Sequence, residues 1–186
     1  MNDALSKELI EMAAEDSATR ERLVENGELK ENEYHPVMRA VHENNNQRIK
    51  QIVSEHGWPR ISLVGEDGAN AAWFLVQHAV LEPQFQEQCV TLLTTAVTAG
   101  EAKGYHLAML HDRVLIRKGQ PQIYGSQHEI DENGKMYPLP ISDSEGVDQR
   151  RKEVGLEPLA ERTRFLQADY ERIKQNQSNR QRQNGR

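Results

Sequence analysis

The sequence predicts a mainly α-helical fold, with six to seven helices around a central buried helix at about residues 69–81 and one β-hairpin at about 122–139. Three observations support this fold class. Apolar residues recur every three or four positions in most of the chain, as in helices with one buried face. Residues 69–81 are apolar on nearly every side. Asn133-Gly134 is the strongest short signal for a hairpin turn.

The first two helices are predicted from apolar spacing and from their end signals. Leu5, Leu9 and Met12 share one face of a helix over 4–26, and Gly27 is a plausible stop. Pro36 suits the start of a second helix to residue 55. Gly57-Trp58-Pro59 ends it, because the residue before proline avoids helical geometry. Its predicted inward residues are Val37, Met38, Val41, Ile49, Ile52 and Val53.

The rest of the chain is divided by glycine, proline and the hairpin signal. A short apolar segment at 61–64 and a loop at 65–68 precede the central helix. Pro83 opens a helix that Gly100 ends, and a further helix covers about 102–117. The remaining elements are strands at 122–130 and 135–139 around the turn, a short helix at 147–154 and a final helix at 158–174.

Charge patterning suggests three segments. Residues 1–35 form an acidic N-terminal helix and connection, with ten acidic and four basic residues up to position 34. Residues 36–174 form a single globular α-rich domain that contains the hairpin. Residues 175–186 are predicted to be a disordered basic tail, because Gln, Asn and Arg dominate them.

Composition limits the classes of partner. The net charge of −6 disfavours nucleic acid, whose binding depends on neutralising phosphates; contact between the basic tail and RNA is the weaker alternative. No apolar run reaches the length of a membrane span, so no membrane association is expected. A single cysteine, Cys89, and the lack of a signal-peptide pattern predict a cytoplasmic protein.

His78 is the first candidate for chemistry. It shares one side of the central helix with Asn70, Trp73, Phe74 and Gln77. An imidazole among apolar residues is either a core histidine with satisfied hydrogen bonds or the acid, base or ligand-binding group of a pocket.

Asp112 and Arg113 are the second candidates. Both lie on the inner half of the helix at 102–117, where opposite charges need pairing or an anionic ligand. The alternative is a structural ion pair that holds the hairpin.

The segment after that helix holds three further candidates, Gln122, Tyr124 and Gln127. In a regular strand Gln122 and Tyr124 share a face, and a bulge at Gly125 would bring Gln127 to the same side. The alternative is a solvent-facing hairpin surface.

Arg151 is the last candidate. It lies with Val147 and Val154 by helical spacing, so it can point inward toward a carboxylate or phosphate, whereas Arg150 pairs naturally with Glu153. The alternative is a solvated arginine pair.

Several familiar chemistries are not indicated. The sequence contains no Walker loop, Rossmann glycine pattern or nucleophile elbow. The seven histidines lack zinc-binding spacing, so no metal ligand is predicted and the cofactor is unknown. Cys89 lies among apolar residues and is expected to be a core residue.

Eleven short blocks between residues 57 and 160 carry a resemblance to a known family. The blocks are Gly57-Trp58-Pro59, Val64-Gly65, Ala72-Trp73, Gln77-His78-Ala79, Leu110, Asp112-Arg113-Val114, Gly119-Gln120-Pro121-Gln122, Tyr124-Gly125-Ser126-Gln127, Arg150-Arg151, Gly155-Leu156 and Pro158-Leu159. They resemble a bacterial family described as a domain of unknown function, number 6624. The family often has threonine where this chain has Ser126, which keeps the hydroxyl. The resemblance implies no activity, but the family's signature residues are similar to the polar candidates above.

We therefore expect a polar pocket, enzymatic or enzyme-like, that binds a small polar, anionic ligand. His78, Asp112 and Tyr124 are its predicted catalytic residues, and Arg113, Gln122, Gln127 and Arg151 its predicted ligand-binding residues. The alternative is a protein-interaction module without catalysis, which binds or neutralises a partner through residues 1–45.

Overall fold

The computed structural model describes residues 1–29 and 33–184. These residues form seven α-helices and one antiparallel hairpin, which confirms the predicted fold class. Residues 30–32 of the predicted connection and the last two residues of the predicted tail lie outside the described residues. The chain divides into two compact units, Met1–Leu110 (unit one) and His111–Arg186 (unit two). The predicted division into segments 1–35, 36–174 and 175–186 stays a prediction.

Most element bounds agree with the sequence prediction to within a few residues. In chain order the elements are α1 (Asp3–Glu25), α2 (Pro36–His56), α3 (Ile61–His78), α4 (Pro83–Thr98), α5 (Gly104–Arg117), β1 (His128–Ile130), β2 (Met136–Pro138), α6 (Val147–Glu153) and α7 (Leu159–Asn184).

Helix α3 is the centre of unit one. It packs against α1, α2 and α4. Its buried side chains include Ala69, Ala72, Leu75 and Val76, and the small alanines allow the neighbouring helices to approach closely. The prediction of a central buried helix is therefore confirmed, although the helix begins earlier and ends at His78.

The predicted loop at 65–68 is wrong. Only Gly65 leaves helical geometry, with φ 72° and ψ 174°, and the helix resumes directly after it. A positive φ is accessible to glycine at little cost, so one residue suffices for the kink. The kink frees the carbonyl groups of Leu63 and Val64, which accept hydrogen bonds from Asn2, the N-cap of α1, and from Ser6 of α1. The backbone N–H of Asn2 donates to the Leu63 oxygen (2.6 Å) and the Ser6 hydroxyl to the Val64 oxygen (2.6 Å).

Helices α1 and α2 each bury an apolar stripe that is interrupted by polar residues. The buried residues of α1 are Leu5, Leu9, Asp16 and Leu23, so this acidic helix is part of the core of unit one. In α2 the prediction placed Val37 inward, but Val37 is 41% exposed. The buried stripe is Met38, His42, Asn45, Asn46, Ile49, Ile52 and Val53.

Unit two contains the hairpin, which is shorter than predicted. Strands β1 and β2 pair antiparallel with His128 opposite Pro138 and Ile130 opposite Met136. The Gly134 N–H closes the turn on the Asp131 oxygen at 2.9 Å. The predicted strand residues 122–127 do not pair with β2; Gln122 instead forms an isolated bridge with Ile141. Side chains accept from the backbone N–H groups of Ile123, Tyr124, Ser126 and Gln127, so these groups are not available to a strand ladder.

Helix α7 continues to Asn184, past the end predicted near Lys174. Gln and Arg, which are frequent in this stretch, have good helix propensity, and no proline or glycine interrupts it before residue 185.

None of the helices in the described part of the chain combines the length and the apolar character that a membrane-spanning helix needs.

We predict that Gly68→Ala destabilises unit one. Alanine normally stabilises a helix interior by about 1 kcal/mol relative to glycine. A Cβ at position 68 would lie 2.8 Å from both Ser6 Oγ and Val64 Cβ. Overpacking costs about 1–3 kcal/mol, so we expect a net loss of about 1 kcal/mol in urea unfolding.

Ser6→Ala provides the matched control. It removes the hydroxyl that the new Cβ meets and leaves the Val64 contact. The double variant should lose less stability than the two single variants added together. A more stable Gly68→Ala protein would contradict the close approach of α1 and α3.

Candidate functional site

Three side chains from three helices meet in unit one and form what we call the Asp16 cluster: Asp16 of α1, His42 of α2 and His78 of α3. Asp16 Oδ1 lies 2.8 Å from His78 Nδ1, and Asp16 Oδ2 lies 3.2 Å from His42 Nε2. One ligand-capable atom from each residue lies within 4.8 Å of the others. The carboxylate therefore bridges two imidazoles.

Local structure places each member. Asp16 and His42 occupy positions in the buried stripes of their helices that apolar residues would otherwise fill. His78 is the last residue of α3. The buried Gln86 side chain donates to the carbonyl oxygens of Val76 (2.8 Å) and Gln77 (3.2 Å), which stabilises that helix end.

Two further residues support the cluster from outside. The Tyr34 hydroxyl is hydrogen-bonded to His42 Nδ1. The Asn45 amide donates to Asp16 Oδ2 at 3.3 Å. These contacts fix the orientation of the His42 ring and of one carboxylate oxygen of Asp16.

The two imidazoles contact Asp16 differently. His78 makes a hydrogen bond, with Nδ1 donating to Oδ1. His42 Nε2 is close enough to Oδ2 for an ion pair, but it has no hydrogen-bond partner among the described residues. We treat this second contact as electrostatic, because direction as well as distance defines a hydrogen bond.

Asp16 is ionised in the folded protein. Burial raises the pKa of its carboxyl group, but the close imidazole of His42 and the hydrogen bond from His78 lower the pKa by more. The net result is a pKa well below the ordinary value for aspartic acid. The cluster thus holds a buried anion whose partners are the two imidazoles.

His78 is the accessible member of the cluster. Its side chain is 28% exposed, whereas that of His42 is 10% exposed and Asp16 is fully buried. The Phe74 ring lies against His78 with 4.0 Å between ring centroids, and the His42 ring lies 5.2 Å away. A molecule from solvent can therefore reach the cluster through His78.

A polar groove of about 870 Å³ runs along α2 toward the start of α4. Asn46, one helical turn after His42, lines it together with Glu43, Lys50 and Leu81. Asn46 is 4% exposed, and its side-chain oxygen has no hydrogen-bond partner among the described residues. The groove offers room for a small polar molecule beside the helix that carries His42.

In unit two, Asp112 binds the backbone of the segment that follows α5. Its Oδ1 accepts from the N–H groups of Ile123 (2.8 Å) and Tyr124 (3.1 Å), and Oδ2 accepts from Ser126 (2.9 Å). Asp112 is fully buried. The carboxylate therefore folds this segment into a tight loop.

Gln122 has a similar structural role. Its amide donates to the carbonyl oxygens of Gln127 (3.0 Å) and Leu139 (2.8 Å), and its Oε1 accepts from the Gln127 N–H (2.8 Å). The Gln127 side chain donates to the Ser126 hydroxyl at 3.0 Å. The two glutamines thus connect the loop to itself and to the residue after β2.

Arg151 and Arg150 bind the same loop from α6. Arg151 is 1% exposed and donates to the carbonyl oxygens of Glu157 (2.6 Å) and Tyr124 (2.6 Å). Arg150 donates to the Ile123 oxygen at 3.1 Å and to the Asp143 carboxylate at 2.6 Å. Both guanidinium groups therefore have partners within unit two.

The pKa directions of two other predicted site residues follow from burial. Burial, and then the charge of Arg117, lowers the pKa of Arg113. Burial, and then Asp112, raises the pKa of the Tyr124 hydroxyl, which keeps it protonated at neutral pH.

The predicted site residues thus fall into two groups. His78 joins the Asp16 cluster in unit one. Asp112, Gln122, Gln127 and Arg151 hold the loop of unit two, and Tyr124 contributes its backbone to that loop. The prediction that these residues line one pocket stays a prediction.

Asp16 and His42 are not among the residues predicted for the site. Their signal is present in the sequence: Asp16 continues the three- and four-residue spacing of Leu5, Leu9 and Met12, and His42 lies one turn after Met38. A carboxylate and an imidazole in apolar stripes need partners. Ligand spacing along the chain does not reveal this cluster, because its members come from three separate helices.

His106, which is also buried, stacks on Trp73 of α3. The His106 ring lies parallel to Trp73 at 4.4 Å, and Tyr105 meets it edge-on at 4.4 Å. Trp73 Nε1 donates to the His106 backbone oxygen at 3.0 Å. Burial, and then the charge of Lys103, lowers the pKa of His106 to about 4.

A family model matches residues 3–174, which is most of the chain and more than the blocks quoted above. The chain belongs to the family of unknown function DUF6624. The family's description gives no activity or ligand for this member. No curated protein and no solved structure matches the chain. The geometry of the described residues is therefore the basis for a functional proposal.

We predict that Asp112→Asn loosens the loop of this DUF6624 member. The amide keeps one acceptor oxygen and places an NH₂ group where the carboxylate accepts a backbone N–H, so we expect a loss of about 3 kcal/mol. Hydrogen exchange should quicken at the amides of Ile123, Tyr124 and Ser126. Asp169→Asn, in an exposed pair with Arg172 on α7, is the control and should change stability by less than about 0.5 kcal/mol. Unchanged exchange at these amides would refute the role of Asp112.

We also predict that His106 makes stability depend on pH. Its folded pKa of about 4 lies below the ordinary 6.5, so the unfolded chain binds more protons between these values. Stability is therefore fully present above about pH 6.5 and is lost as the pH falls, by about 2 kcal/mol between pH 7 and pH 5.

His106→Phe is the matched variant, because it keeps an aromatic ring against Trp73 and removes the titrating nitrogen. Its urea-unfolding free energy should fall less than that of the wild type between pH 7 and pH 5. Parallel pH curves for the two proteins would show that His106 does not contribute.

Proposed function

We propose that this DUF6624 protein binds a small polar, anionic ligand at the Asp16 cluster and that His78 supplies acid–base chemistry to it. The observation that carries this proposal is the 2.8 Å hydrogen bond between a fully buried carboxylate and a partly exposed imidazole. This is the arrangement in which a carboxylate fixes the orientation and the tautomer of a histidine ring.

The hydrogen bond selects one form of the His78 ring. When the ring is neutral, Nδ1 carries the proton that Asp16 accepts, and Nε2 has the lone pair. That nitrogen can accept a proton from a bound molecule and later return it, which is the requirement for general acid–base catalysis.

We expect the anionic ligand at the exposed side of His78. A proton on Nε2 makes that ring positively charged, and an anion can then pair with it. The groove along α2 has a lining of its own, which includes the buried oxygen of Asn46 one turn after His42. The reaction class that this set supports is proton transfer to or from a small polar substrate.

We also propose that the protein acts in the cytoplasm, where cysteines stay reduced. Cys89, the single cysteine of the chain, is fully buried, and burial raises the pKa of its thiol to about 12. Such a thiol is poorly reactive, which supports a core role for this residue.

The test follows the imidazole nitrogen resonances of the metal-free full chain by NMR during addition of inorganic phosphate or acetate. We expect the His78 resonances to shift and saturate, with the shift at least tenfold smaller in Asp16→Asn. His56, an exposed histidine at the end of α2, is the internal control. Equal responses of His78 and His56, or none at His78, would refute anion binding at the cluster.

A further inference from the structure

The Asp16 cluster presents the donor set of a transition-metal site. It offers two imidazole nitrogens and one carboxylate, a combination that suits Zn²⁺, Fe²⁺, Co²⁺ or Ni²⁺ better than the oxygen-seeking Mg²⁺ or Ca²⁺. The three residues come from α1, α2 and α3, so the fold itself, rather than one flexible loop, brings the donors together.

The donor spacing fits a shared ion. Two ligands at about 2.1 Å from one ion lie about 3.0–3.4 Å apart in tetrahedral or octahedral geometry. The separations from the two carboxylate oxygens of Asp16 to His78 Nδ1 and His42 Nε2 are 2.8 and 3.2 Å. Small side-chain rotations would place an ion between these atoms.

His42 provides an independent indication. Its side chain is nine-tenths buried, and its Nε2 points into the cluster without a hydrogen-bond partner among the described residues. Its contact with Asp16 Oδ2 at 3.2 Å is electrostatic and leaves the nitrogen without a hydrogen bond, which is unfavourable for a buried polar atom. A metal ion bound to Nε2 would supply the directional contact that this nitrogen lacks.

The surround of the cluster resembles the outer partners of metal ligands. A ligating histidine commonly makes a hydrogen bond through its other ring nitrogen, and a ligating carboxylate is itself hydrogen-bonded. Here Tyr34 bonds to His42 Nδ1 and Asn45 donates to Asp16 Oδ2. Both contacts remain possible while Nε2 and the carboxylate bind an ion.

We propose that Asp16, His42 and His78 bind one divalent transition-metal ion of the zinc class. The exposed side of His78 leaves coordination positions open to solvent, as in catalytic rather than structural metal sites. This inference rests on the proposed function, because it names the cofactor of the same cluster. In the loaded protein His78 is a ligand, and the anionic molecule binds at the open positions of the ion.

Calorimetric titration of the chelator-treated, tag-free full chain with Zn²⁺ tests the proposal. We expect one equivalent to bind, with affinity at least 100-fold lower in Asp16→Asn, His42→Gln and His78→Gln. His56→Gln is the matched control and should bind like the wild type. Tyr34→Phe and Asn45→Ala should weaken binding about tenfold, the smaller effect typical of outer partners. No binding by the wild type, or unchanged binding by the three cluster variants, would overturn the site.

A measurement on the wild type removes the dependence on variants that fail to fold. Paramagnetic Co²⁺ should broaden the NMR signals of His42 and His78 at one equivalent and leave those of His56 sharp. Uniform broadening of all histidines would overturn the proposal. Failure of Zn²⁺ and Co²⁺ to bind, with the phosphate response of His78 intact in the metal-free protein, would remove the metal inference alone. Metal binding without a phosphate response in the metal-free protein would remove only the metal-free acid–base proposal.

Discussion

The burial of the Asp16 carboxylate constrains the rest of unit one. An ionised group without solvent is very costly unless it is paired, and Asp16 is fully buried in the apolar stripe of α1. Its partners come from two other helices, His42 from α2 and His78 from α3. A slip of α1 by a turn would remove both partners and a slip of α2 or α3 would remove one, so these contacts favour one register of the three helices.

Unit two solves the same problem in a different way. Asp112 is also a fully buried carboxylate, but its partners are backbone N–H groups of the loop that follows α5. Amide groups neither gain nor lose protons at ordinary pH, whereas imidazoles do and can also bind metal ions. The two aspartates therefore differ in function: Asp112 holds a loop, and Asp16 holds groups that can exchange a proton or an ion. This contrast is why we place the chemistry in unit one.

Local patterns predicted the helices well and the site only in part. Apolar spacing and proline and glycine positions located the helices of unit one, because those signals act within a few residues of sequence. The kink at Gly65 looked like a loop, since four polar or glycine residues hide a helix that needs only one left-handed residue. The segment at 122–127 looked like a strand, because nothing local shows that Asp112 takes its amides. His78 was identified, but its partners Asp16 and His42 lie 62 and 36 positions away in the chain, and only tertiary packing brings them together.

The division of the chain also separates its optical probes. Both tryptophans, Trp58 and Trp73, lie in unit one, and unit two contains tyrosines but no tryptophan. Indole emission therefore records the environment of unit one, while helical ellipticity sums over both units. Comparing these two signals during heating reveals whether the units melt together or in succession, without attaching any label to the protein.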